Sequence, residues 1–186
     1  KPVAIKRLLP EQDSPELREL FLRETRLLEK VRHPGVVELF DVGEDESGPF
    51  MVMELCTGET LSARLRARGS LAPNEVRSLA RALASGLGAL HAVGLVHRDV
   101  KPQNVMFSAT DEGEAPKLVD LGVARARDHK TISRPGELLG TALYASPEQI
   151  KEEPLDGRAD LYSLGVVMFE ALEGKRPFEG TTLARL

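Results

Sequence analysis

His97-Arg98-Asp99-Val100-Lys101-Pro102-Gln103-Asn104 places an acid, a cation and an amide within one short loop. The set suits phosphoryl transfer, which needs a carboxylate to orient an attacking hydroxyl, a cation against the moving phosphoryl group and oxygen ligands for Mg²⁺. Asp99, Lys101 and Asn104 are the matching chemical types. On these eight residues alone a plainer reading stays open: a polar turn in which Asp99 and Asn104 satisfy neighbouring backbone groups.

Working outward, Val76, Leu79, Ala80, Leu83, Leu87 and Leu90 recur at helical spacing, which predicts a long amphipathic helix from Pro73 to Ala92 that delivers the chain to His97. After the loop, Val105-Met106-Phe107 and Lys117-Leu118-Val119 read as two short strands around a polar loop, 108–116, the second handing over to Asp120-Leu121-Gly122. Residues 123–139 lack periodicity and read as a mobile loop. Beyond Pro147, a core helix is predicted from Arg158 to Glu173, with Leu161, Leu164, Val167, Met168 and Leu172 as its apolar side.

Towards the other end, Val3-Ala4-Ile5 reads as a strand ending at Lys6, and Ser14-Pro15 as a helix start of the Ser-cap, Pro-first kind. Leu17, Leu20, Phe21, Leu27, Leu28 and Val31 then lie on one stripe of period about 3.6. Glu24 breaks that stripe, and a buried carboxylate needs a cation, for which Lys6 is the natural candidate. Strands are expected at 36–41 and 50–55 around a turn at 43–48, followed by a short basic helix, 61–68, closed by Gly69.

The 186 residues suffice for one domain or for two small lobes sharing a core, and 41% hydrophobic with 29% charged residues is the balance of a soluble globular protein. A net charge of -4 argues against a nucleic-acid partner. A single cysteine, Cys56, can form neither an intrachain disulfide nor a zinc cluster, so a cytoplasmic setting is the default. No uncharged apolar run approaches about 18 residues, so no membrane contact is expected within this segment, while an anchor elsewhere in a longer parent stays compatible.

With these positions placed, the chain resembles a eukaryotic-like Ser/Thr protein kinase, most closely the bacterial Hanks-type kinases. Val3-Ala4-Ile5-Lys6 matches the strand lysine motif, Glu24 the helix glutamate, His97 to Asn104 the catalytic loop, Asp120-Leu121-Gly122 the magnesium motif and Ser146-Pro147-Glu148 the end of the activation segment. The resemblance implies an α+β, two-lobed protein-kinase-like fold: a partial small β-rich lobe over 1–55, a hinge at 56–58 and a partial large helical lobe over 59–186.

It also implies roles. Lys6 would hold the α- and β-phosphates of ATP, oriented by Glu24; Asp99 would accept the proton of the substrate hydroxyl; Lys101 would meet the γ-phosphate; Asn104 and Asp120 would carry Mg²⁺. Met53 would guard the back of the adenine pocket, Glu54-Leu55-Cys56 would be the hinge, and Ala4 and Met106 belong with the nucleotide contacts. Leu28, Leu39, His97 and Leu121 would stack between the lobes, and Asp160 would anchor the catalytic-loop backbone. Arg98 would grip a phosphate on the activation segment, with Thr131 and Ser133 as the favoured acceptors and Thr141 a poorer one beside Gly140.

The expected substrates are ATP and proteins with Ser/Thr acceptors, and a kinase dimer for trans-autophosphorylation is a compatible partner state. Two departures from the pattern, Leu121 for Phe and Ser146 for Ala, keep size or polarity within reach. The glycine-rich loop that would precede Lys6 is absent, so the segment alone is expected to be inactive. A pseudokinase or scaffold module is the alternative, weakened by the presence of Lys6, Glu24, Asp99, Asn104 and Asp120 together.

Overall fold

The computed structural model describes residues 2–8, 14–110, 113–121 and 142–178. A three-stranded antiparallel sheet, in the order β1-β3-β2, is built from β1 (Val3–Arg7), β2 (Leu39–Asp45) and β3 (Gly48–Glu54). Lys6 stands opposite Met51, and the strand runs one residue past it, since Arg7 still pairs with Phe50. The β2–β3 turn is tighter than expected, with Asp45 opposite Gly48. Val36 lies outside β2 and instead bridges Leu118 in parallel.

Helix α1 (Pro15–Leu28) starts as its sequence demands: the Leu17 N–H donates to Ser14 Oγ at 3.2 Å, and Pro15, which has no N–H to satisfy, occupies the first turn. Its buried side is Leu17, Phe21, Glu24, Thr25 and Leu28. Helix α2 (Leu61–Arg68) is capped by Thr60, whose Oγ1 accepts from Ala63 N–H at 3.1 Å. Arg64 then ties α2 to the β4–β5 hairpin (Val105–Thr110 and Gly113–Leu118): its guanidinium lies 3.5 Å from the centre of the Phe107 ring and bonds Glu59 and Glu114.

Helix α3 (Pro73–Ala92) buries Val76, Leu79, Leu83, Gly86, Leu87 and Leu90 against β5 and the last helix. Gly86 makes that approach possible, since a Cβ there would lie 2.9 Å from the Gly35 carbonyl oxygen. That same carbonyl accepts from Leu118 N–H at 2.8 Å, so α3 packs directly beneath the strand that leads to Asp120. Gly58 serves likewise, because a Cβ there would lie 1.8 Å from the Phe107 carbonyl oxygen and push the linker off β4.

Two short elements follow that periodicity does not predict: a 3-10 turn at Pro102–Asn104 and α4 (Pro147–Ile150). The last helix, α5 (Gly157–Glu173), corrects the expected face. Ala159, Asp160, Ser163, Leu164, Val166, Val167 and Ala171 are buried, whereas Leu161 and Leu172 are 50% and 42% exposed. The helix is apolar nearly all round, so hydrophobicity alone does not select its buried side. One continuous core runs from Leu8, Phe21 and Leu39 through Leu83 and Leu118 to Val167, so the sheet and the helices share it.

Candidate active site

The catalytic loop is held by its backbone. Both oxygens of the fully buried Asp160 carboxylate accept from it, His97 N–H at 2.8 Å on Oδ2 and Arg98 N–H at 2.8 Å on Oδ1, with His91 Nε2 also 2.7 Å from Oδ2. On the other side, Gln149 Nε2 donates to the Arg98 carbonyl at 2.8 Å. The expectation for Asp160 is met, and Gln149 is a second anchor that sequence reasoning missed. Gln149 is itself placed by Ser146: the Ser146 N–H donates to Gln149 Oε1 at 3.0 Å and the Gln149 N–H to Ser146 Oγ at 3.3 Å. The serine that departs from the family pattern is therefore the cap of α4.

These anchors hold a strained backbone. Arg98, Asp120 and Glu152 are the non-glycine residues of positive φ among the described residues, at 64°, 56° and 57°. Such angles cost roughly 1 kcal/mol or more and persist where the surroundings over-determine them. Two of the three fall in the predicted site.

Asp99, Lys101 and Asn104 converge as the spacing implies. Lys101 Nζ lies 2.9 Å from Asp99 Oδ2, and Asn104 Nδ2 donates to the same oxygen at 2.7 Å and to the Asp99 carbonyl at 2.8 Å. All of this is buried or nearly so. Behind it, the Val119 N–H donates to the Asn104 carbonyl at 2.9 Å, which sets the strand leading to Asp120 alongside the loop. The His97 ring is wholly enclosed, and burial holds its pKa below the ordinary imidazole value against the pull of Asp160, Asp99 and Asp120.

The expected Lys6–Glu24 pair is not the one formed. Lys6 Nζ bonds Asp120 Oδ1 and donates to the Leu121 carbonyl at 3.0 Å. Glu24, only 8% exposed, takes Arg98 instead, whose Nη1 donates to Oε1 at 2.6 Å. Burial raises the Glu24 carboxyl above the usual range; Arg98 is the main influence opposing that rise, with smaller ones from Arg23 and Lys6. The premise of a cation for the buried carboxylate holds, and its identity is corrected: the catalytic loop brings a guanidinium to hydrogen-bond distance while Lys6 is drawn to a carboxylate more open to solvent. Arg98, expected to face a phosphate, is thereby occupied by α1.

The residues expected to line a nucleotide site fall as follows. Ala4 faces Met53 in the β1–β3 register, Cys56 is buried, and Met106 bridges Thr60 just past the linker. Both carboxylate oxygens of Glu54 accept from Lys117 Nζ. Leu28, Leu39, His97 and Leu121 are all buried. Thr131, Ser133 and Thr141 lie outside the described residues.

A magnesium site of the expected kind fits the donors. Mg²⁺ is commonly held by one or two protein oxygens together with substrate phosphates and water, and Asp120 with the Asn104 amide oxygen meets that requirement. Asn104 spends its amide nitrogen on Asp99, leaving its oxygen as the atom for a hard cation.

Comparison with known proteins agrees with this geometry. The protein kinase domain family matches residues 1–185. The chain belongs to the protein kinase domain family. This kinase domain is 43% identical over 160 residues to the serine/threonine-protein kinase PknL of Mycobacterium tuberculosis, covering 86% of the chain and 39% of that relative. It is 42% identical over 165 residues to the serine/threonine-protein kinase pkn2 of Myxococcus xanthus, covering 87% and 20%, and 39% identical over 184 residues to the serine/threonine-protein kinase PknA of M. tuberculosis, covering 96% and 42%. The kinase domain thus spans well under half the length of each of these bacterial relatives.

Proposed function

We propose that the protein carrying this kinase domain transfers the γ-phosphate of ATP to serine and threonine hydroxyls of protein substrates in a Mg²⁺-dependent reaction. The observation that carries the reading is the convergence of Lys101 and Asn104 on one oxygen of Asp99, within a loop held on both sides by Asp160 and Gln149. Asp99 would orient the acceptor hydroxyl and take its proton, while Lys101, 2.9 Å away, would meet the phosphoryl group as it leaves ADP. Lys6 would bind the α- and β-phosphates once nucleotide draws it from Asp120. Bound Mg²⁺ would supply charge neutralisation on the β- and γ-phosphates, held by Asn104 and Asp120.

Such transfer requires ATP, which supports a cytoplasmic site of action, and a second copy of the domain would be a natural substrate for trans-autophosphorylation. A scaffold reading draws on the Lys6–Asp120 pair, which sets the nucleotide lysine on a metal ligand. Labelled γ-phosphate transfer by the full-length protein to a basic protein carrying Ser and Thr separates the two. Incorporation supports the kinase, and nucleotide binding without incorporation supports the scaffold.

Control would run through Arg98. Its bond to Glu24 is exchangeable for a phosphate, and a phosphate on Thr131 or Ser133 adds roughly two negative charges for a guanidinium to grip. Thr141 is the lesser candidate. Mass spectrometry of the active protein beside a Thr131→Ala/Ser133→Ala variant tests this. Loss of phosphate from this stretch with full activity retained would refute it.

A further inference from the structure

The Glu54 and Lys117 side chains are used by none of the steps above, yet they make a two-oxygen charged contact between the sheet and the strand leading to Asp120. Lys117 Nζ donates to both carboxylate oxygens of Glu54, at 2.8 Å and 2.6 Å, with the two side chains only 14% and 20% exposed. Exposed pairs contribute little, but removing one partner of an enclosed pair strands the other charge, so this contact carries mechanical weight.

Its position says where that weight acts. Glu54 is the last residue of β3, where the chain enters the linker, and its N–H donates to the Glu38 carbonyl at 2.8 Å. Lys117 lies in β5, three residues before Asp120. The backbone between them is braced by Leu118 N–H to Gly35 carbonyl at 2.8 Å, Val37 N–H to Leu118 carbonyl at 2.9 Å and Val119 N–H to Asn104 carbonyl at 2.9 Å. The Lys117 side chain adds the tie to β3 itself. A change at the linker can therefore reach Asp120 through one ion pair and three residues.

We propose that Glu54 and Lys117 are a positioning pair that couples the linker side of the nucleotide site to the metal side, holding the end of β5 so that Asp120 meets the cation. The two side chains bond each other and act on the cation through Asp120. The inference rests on the phosphotransfer reading above.

The test is calorimetric titration of the full-length protein with ADP, with and without Mg²⁺, and the quantity read is the gain in ADP affinity that Mg²⁺ confers. In Lys117→Met that gain shrinks about fivefold or more, the scale of coupling between neighbouring groups, while metal-free ADP affinity stays within about twofold. Glu54→Lys/Lys117→Glu restores the gain to within about threefold of wild type. Should Lys117→Met fail to fold, Lys117→Gln is read in its place with the same expectation. A variant that melts earlier but keeps the wild-type gain, or a charge swap that restores nothing, overturns the positioning role. A rise in kcat on breaking the pair, with the gain unchanged, makes it a restraint and overturns the proposal too. Wild-type ADP binding indifferent to Mg²⁺ would instead contradict the phosphotransfer reading itself.

Discussion

Arg98 and Glu24, 74 positions apart, are joined at 2.6 Å, so the catalytic loop grips α1 through the carboxylate that the kinase pattern reserves for Lys6. The Arg98 main chain is fixed by Asp160 and Gln149, which leaves its side chain as the part free to change partner. Lys6, meanwhile, rests on Asp120. Relative to the expected arrangement, Glu24 holds Arg98 in place of Lys6, and Lys6 holds Asp120 in place of Glu24.

Lys6→Met and Glu24→Gln are each expected to lower transfer by the full-length protein by about 100-fold, the usual scale for groups of this kind. The swap Lys6→Glu/Glu24→Lys is expected to stay inactive, because Lys6 would also meet phosphate. Steady-state kinetics checks it, and recovery of more than about a tenth of wild-type turnover would reduce the pair to a structural contact.

Asp160→Ala is expected to destabilise the domain by about 3–5 kcal/mol, since it leaves the His97 and Arg98 N–H groups buried without an acceptor. Denaturant unfolding of the full-length protein reads this directly. Asp160→Asn, which keeps one acceptor oxygen, should lose less.

Much of this was legible in the sequence where chemistry is local. The Ser14 cap, the helix from Pro73 to Ala92 and the Asp99–Asn104 spacing each depend on residues within a few positions of one another, and each appears in the structure. Partner choice was not legible. Whether Glu24 meets Lys6 or Arg98 depends on how α1 settles against a loop far along the chain, which no period encodes. The β4–β5 hairpin extends further than its apolar runs because Ser108, Ala109, Glu114 and Ala115 pair in register although they lack a strand pattern, and Pro116, a poor strand residue, sits opposite Phe107. Gln149 and the Glu54–Lys117 pair gave no signal, since a lone amide or an alternating charge ordinarily marks a solvated surface.

His97 supplies a pH dependence with a definite sign. Its folded pKa lies below the ordinary imidazole value because of burial, so as pH falls the unfolded chain takes up the proton first. The stability associated with neutral His97 is whole above about pH 6.5 and declines below it, until the folded pKa is reached, with a slope of up to about 1.4 kcal/mol per pH unit. Thermal melts between about pH 7.5 and about pH 5.5 should fall less steeply for His97→Phe than for wild type. Parallel curves would show that the ring is not the titrating group.

The central claim is that Asp99 serves the acceptor hydroxyl within a phosphate-transfer site, and the measurement that meets it most directly is labelled γ-phosphate transfer to a Ser/Thr peptide by full-length wild type and Asp99→Asn, with ATP affinity measured alongside. Wild type should incorporate label in Mg²⁺, and Asp99→Asn should lose about 100-fold or more of that turnover while binding ATP nearly as before. A variant retaining more than about a tenth of wild-type turnover, or a wild type that binds ATP and transfers nothing, would contradict the account.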